Sequence, residues 1–157
     1  MSKVTLLTIE IFLNVIAAIP ITVVAGFFCT YSAVISFLEN SRGYTDSDQL
    51  YVALWYSCLC STVCMFPPWV VVFIIPNLSF PGVNQKTNFS NMRGRLWLFC
   101  STSGTITSAF SGVYYWQITA NSMHAIRASV IVAILVPVGI GILHWSREFF
   151  RMINKVR

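Results

Sequence analysis

The sequence predicts an all-α integral membrane protein, a four-helix transmembrane bundle with its N- and C-termini on the cytoplasmic side. Three observations carry that reading: a composition poor in charge, four apolar runs long enough to span lipid, and a one-sided placement of Lys and Arg. Of 157 residues, 56% are hydrophobic and 10% are charged, and the mean hydropathy is +0.71. A water-soluble domain carries about 25% charged residues. A chain this short of charge cannot cover itself with polar groups, and lipid is the solvent that tolerates it. Four spans use most of the sequence, so residues 1–157 read as a single transmembrane domain.

The first apolar run, Val4 to Leu38, would reach about 50 Å as one helix, against a hydrocarbon core of about 30 Å. It therefore reads as an interfacial entry segment over 1–15 followed by a span over about 16–38. Pro20 then falls in the first turn of that span, where a missing N–H costs little. A cleaved signal peptide is the competing reading, and Glu10 inside the apolar stretch argues against it. A short polar loop, Glu39 to Gln49, leads to the second span at about 50–75. There Pro67 and Pro68 strip helical partners from the carbonyls of Val63 and Cys64, so a kink is expected, either as a packing bend or as a bend that forms a pocket. Pro76 to Arg95 reads as a loop. The third span follows at about 96–118, then a turn holding Asn121, Ser122 and His124, the fourth span at about 125–145, and a basic tail at 146–157. No internal repeat is visible.

The cations set the orientation. Four spans place Lys3, Lys86, Arg93, Arg95, Arg147, Arg151, Lys155 and Arg157 on one side and only Arg42 and Arg127 on the other. Positive residues stay cytoplasmic and meet anionic headgroups there. Tyr51, Trp55, Tyr56, Tyr114, Tyr115 and Trp116 fall at the outer interface, Trp97 and Trp145 at the inner one. Asn77-Leu78-Ser79 and Asn88-Phe89-Ser90 match the glycosylation acceptor pattern, but both fall in the loop assigned to the cytoplasm, so neither is expected to carry sugar.

The third span carries the clearest pattern. Gly104, Ser108 and Gly112 recur every four residues and form a smooth strip where another helix, of this chain or of a partner, can approach closely. This span is therefore expected to be the packing centre. A hydrophilic lining for a small-solute path is the alternative use of its hydroxyls. Gly139 and Gly141, after Pro137, offer a second point of close approach. Intramembrane ionisable groups are the usual pointer to function in a membrane protein, and Glu10 with Asn14 is the nearest case. That pair reads either as an ion or proton ligand near the cytoplasmic mouth or as an interfacial acid pairing with Arg93, Arg95 or Arg147.

Cys60 and Cys64 share a helix face while Cys58 lies on another, and no His or acid stands beside them in sequence. Together with Cys29 and Cys100 they read as small packing residues rather than metal ligands. His124 and His144 sit at opposite ends of the fourth span and cannot share a haem or a metal. There is no glycine-rich phosphate loop, no nucleophile–base pair and no basic stripe interleaved with aromatics. The sequence thus points to no enzyme, no cofactor and no nucleic-acid partner. The expected partners are membrane lipids and another integral membrane protein.

Gly94-Arg95-Leu96-Trp97-Leu98-Phe99, opening a span of small residues, resembles the third-span entry of the transmembrane protein 50 family. Asn14-Val15-Ile16-Ala17-Ala18-Ile19 resembles that family's first-span entry. The family comprises small four-span endomembrane proteins, whose fungal relatives act in late-endosome to vacuole sorting. The sequence departs from the family pattern at Cys29-Thr30-Tyr31-Ser32-Ala33 and Phe66-Pro67-Pro68, where members carry an acidic residue and an Asn. With the small-residue strip, the absence of buried charge and the short loops, the resemblance points to a non-enzymatic protein that supports the assembly, stability or sorting of another membrane protein. Its expected place is the endomembrane system (endosome, Golgi or ER) or plasma membrane, while the lone Lys3 gives no Arg-rich transit segment and disfavours mitochondria. An accessory transmembrane subunit of a large channel, receptor or respiratory complex is the alternative, and an oligomeric small-solute channel or carrier is the third.

Overall fold

A computed structural model describes residues 3–40, 46–70 and 88–154. Each apolar run forms one long helix: α1 (Lys3–Asn40), α2 (Asp46–Trp69), α3 (Asn88–Thr119) and α4 (Ser122–Asn154). Three of them are long and apolar enough to cross a membrane. Val4–Ser36 has a mean hydropathy of 2.3, Asp48–Trp69 of 1.5 and Ser122–Asn154 of 2.4. The chain is thus all-α and membrane-like. α3 falls below the other three because Ser, Thr and Gly replace aliphatics along its middle.

The helices run up, down, up, down. In a square bundle of that order, α1 and α3 would be diagonal to one another. Here they touch, each of the two packs against all three other helices, and among the described residues α2 and α4 do not meet. The cross-section is a rhombus whose short diagonal is α1·α3. Small residues make the short diagonal possible, because Gly26, Gly104 and Gly112 let two backbones approach where larger side chains would hold them apart. The expectation of α3 as the packing centre needs one change: α1 shares that place.

Several boundaries differ from the sequence reading, each for a physical reason. The entry segment over 1–15 is not separate, since α1 runs unbroken through Pro20. Its N-terminal half is held by packing: Ile11 and Val15 are buried, with Val15 against Gly141 of α4. Trp145 Nε1 also donates to Thr8 Oγ1 at 3.0 Å. The 38 residues of α1 reach about 57 Å at 1.5 Å per residue, longer than a hydrocarbon core, with α4 running antiparallel beside them. The basic tail is likewise a continuation of α4 as far as Asn154. α3 starts at Asn88, inside the stretch read as loop, because no proline interrupts 88–95 and polar residues there sustain a helix. Residues 71–75 of the second span, Asn77, Lys86, Lys155 and Arg157 lie outside the described residues.

Candidate functional site

Two polar features stand inside the bundle, one built of hydroxyls and one of thiols. The first is a seam where α1, α3 and α4 meet, and each helix contributes residues four apart. Thr22, Gly26 and Thr30 come from α1, Gly104, Ser108 and Gly112 from α3, and Ala125, Ser129, Ala133, Pro137 and Gly141 from α4. A four-residue repeat keeps one face of a helix turned toward its neighbour. A Cβ placed on Gly104 would lie 2.5 Å from Thr22 Cγ2 and 3.2 Å from Pro137 Cγ, and one on Gly112 would lie 2.5 Å from Thr30 Oγ1.

The hydroxyls in this seam bond both within their own helices and across it. Ser108 Oγ lies 2.8 Å from the Ser129 carbonyl and 2.8 Å from Ser129 Oγ. Thr30 Oγ1 lies 2.8 Å from the Gly26 carbonyl and 3.3 Å from Ser129 Oγ. Thr22 Oγ1 lies 2.9 Å from the Ala133 carbonyl, which answers a vacancy left by proline. Pro137 has no N–H to offer the carbonyl four residues before it, and that carbonyl belongs to Ala133. The α1 hydroxyl, fully buried, stands within reach of that carbonyl as a donor, sharing its proton with the Ile19 carbonyl of its own helix at 2.8 Å.

The strip Gly104–Ser108–Gly112 is therefore used within the chain. Ser108 has no accessible surface, and α1 and α4 cover the face it presents, so the strip is not open to a partner protein. Gly141 is a point of close approach, to Val15, but Gly139 is not: a Cβ there would meet nothing within 4 Å. Gly139 faces outward, among the exposed Leu135, Val138, Ile142 and Leu143 of α4.

The other predicted residues fall as follows. Pro67 is exposed and Pro68 half-buried near the end of α2, and Pro68 lines a groove between α1 and α2. Asn14 Nδ2 donates to the Glu10 backbone carbonyl at 2.8 Å, so its amide serves its own helix. Glu10 and Asn14 border a shallow dent lined only by α1 side chains. Arg151 pairs with Glu148 at 2.7 Å on the surface of α4, a contact worth little in an exposed setting. Arg147 is exposed on the same helix, while Arg93 and Arg95 lie in the N-terminal turns of α3.

The second feature was not legible in the sequence. Cys60 and Cys64, one turn apart on α2, meet Cys29 of α1, and the three Sγ atoms lie within 4.8 Å of one another. Cys29 is buried, Cys60 and Cys64 are half-buried, and the Cys29 and Cys64 sulfurs are 4.0 Å apart. The i, i+4 pair was visible in the sequence. The third thiol, 31 residues before Cys60, could be placed only by knowing which face of α1 meets α2. Met65 adds a thioether just beyond, accepting from Thr105 Oγ1 at 3.9 Å. No family model, curated protein or solved structure matches this chain, so both features are read from their geometry.

Proposed function

We propose that this chain is a non-enzymatic four-span membrane protein, with both termini cytoplasmic, that associates with a transmembrane helix of another integral membrane protein and supports its assembly, stability or endomembrane sorting. The observation that carries the reading is Gly139. In a helix interior glycine costs about 1 kcal/mol relative to alanine, and none of the described residues packs against this one. It makes a dent in an otherwise bulky aliphatic face of α4, the form of surface on which a partner helix seats closely. Beside it, α1 and α4 enclose an apolar groove of about 330 Å³ lined by Phe12, Val15, Ile16, Val138 and Ile142, which continues the same surface.

Two further points favour an adaptor over a solute path. The Thr22, Thr30, Ser108 and Ser129 hydroxyls of the seam have backbone carbonyls or one another as partners, and so do not line an open channel. α3, the least apolar helix, is held between α1, α2 and α4, so its polar middle crosses lipid shielded by its neighbours. The endomembrane placement rests on the resemblance of Gly94-Arg95-Leu96-Trp97-Leu98-Phe99.

The test is purification of the tagged chain in mild detergent with native mass spectrometry, for wild type and Gly139→Leu. A stoichiometric heterologous membrane protein, lost from Gly139→Leu while the bundle's own thermal unfolding is unchanged, is the expected result. A partner retained by the variant removes Gly139 from the interface. A homo-oligomer without a partner replaces the adaptor with the pore.

A further inference from the structure

We infer that Cys29, Cys60 and Cys64 form a binding site for one soft, thiophilic monovalent metal ion, Cu(I), inside the bundle between α1 and α2. The site is independent of the partner surface on α4. Three thiols from two helices converge with no carboxylate or imidazole among them, and an all-sulfur donor set selects soft ions over hard ones. The separations fit. Metal–thiolate bonds of about 2.3 Å place three trigonal sulfurs about 4.0 Å apart, and Cys29 and Cys64 already stand at 4.0 Å. All three Sγ atoms lie within 4.8 Å of one another.

The number of ligands separates the candidate ions. A structural Zn(II) site closes with four tetrahedral ligands, and among the described residues these three cysteines are the grouped soft donors. Cu(I), with a filled d shell, is satisfied by two or three thiolates. Each sulfur that binds does so as thiolate and releases one proton, and the ion stays Cu(I), so no electron is transferred.

There is also a way in. A groove of about 420 Å³ between α1 and α2, lined by Val24, Phe28, Cys64, Met65 and Pro68, opens onto the cluster at Cys64. Pro68 withholds its helical hydrogen bond from the Cys64 carbonyl, and α2 ends one residue later at Trp69. The α2 side of the site is thus less constrained than the seam.

The experiment is anaerobic titration of the reduced full-length protein in detergent micelles with Cu(I) supplied as its bicinchoninate complex, read by loss of the coloured complex. Wild type is expected to withdraw one Cu(I) per chain, with X-ray absorption showing sulfur ligands near 2.3 Å. Cys29→Ser, Cys60→Ser and Cys64→Ser should each weaken binding at least about a hundredfold, beyond what loss of an outer-shell partner costs. Cys58→Ser and Cys100→Ser should bind as wild type does. Circular dichroism and gel filtration establish that each variant keeps the bundle. Failure of folded wild type to compete for Cu(I), undiminished binding by folded Cys29→Ser, or tighter binding of Zn(II) than of Cu(I) to the same three cysteines would overturn the assignment.

Discussion

Helix α1 presents two different faces, and the contrast between them organises the molecule. Toward α3 and α4 it shows Thr22, Gly26 and Thr30, and the contact is tight enough that added Cβ atoms would collide with side chains across it. Hydroxyls in that contact pair across it. Toward α2 it shows Ala25, Phe28 and Cys29, and the contact leaves a groove and a cluster of three thiols within 4.8 Å of one another. The α1/α3/α4 seam therefore specifies the fold, while the α1·α2 face has the room and the reactive groups to bind something.

The largest effect is expected where the seam is closest. Ser108→Leu inserts a branched side chain at a site with no accessible surface and removes the hydroxyl that bridges to Ser129. Overpacking and a broken buried hydrogen bond together should cost about 3–4 kcal/mol, seen as loss of the folded bundle by thermal unfolding in detergent. An equivalent change on the other face, Val24→Leu, enlarges an exposed side chain beside a groove and should stay within about 0.5 kcal/mol of wild type. If both variants unfold alike, the contrast between the faces fails.

A subtler test isolates the bond between Thr22 and the Ala133 carbonyl. Thr22→Val keeps the side-chain volume and deletes the donor, leaving a carbonyl that Pro137 had already deprived of its helical partner. The expected cost is about 1–2 kcal/mol. Pro137→Ala returns an N–H to that carbonyl, so Thr22→Val in the Pro137→Ala background should cost much less. The double-mutant cycle measures that difference directly. Equal costs in both backgrounds would mean that the hydroxyl is not standing in for the proline.

How much of this could be read from the sequence depended on the range over which each signal acts. Helix existence and composition are local, so the four helices emerge from apolar runs, and three of them reach spanning hydropathy. The Gly104–Ser108–Gly112 repeat was legible as a close-approach surface because its period is a property of one helix. What that surface touches was not, because its complements Thr22, Gly26 and Thr30 lie about eighty residues away. Without them, the strip could be assigned equally to a partner or to the chain itself. The unbroken α1 was missed for a related reason. Spanning length argues for dividing Val4 to Leu38, and only the antiparallel packing of Ile11 and Val15 on Gly141 of α4 keeps its first half helical and buried. Cys29 shows the same limit in chemical form, since a site split between helices has no spacing to recognise.

The smallest expected effect lies at the turn that sets α4 against α3. Ala120 holds φ at 49°, a left-handed conformation in which a Cβ crowds the following carbonyl. Its N–H nevertheless closes the end of α3 on the Trp116 carbonyl at 2.8 Å, while Asn121 Oδ1 caps α4 by accepting from the Met123 N–H at 2.9 Å. Glycine is the residue this position favours. Ala120→Gly relieves about 1 kcal/mol of local strain and gives part of it back through a freer unfolded chain. The net result should be a gain of no more than about 0.5 kcal/mol in thermal unfolding, whereas Asn121→Ala should lose about 1 kcal/mol with the cap. Because the turn joins two helices of the seam, both changes should move the unfolding of the bundle and leave the maleimide reactivity of Cys60 and Cys64 in the folded state unchanged. Reactivity that followed the turn would mean that the two faces of α1 are coupled and that the thiol cluster is held by the same contacts as the seam.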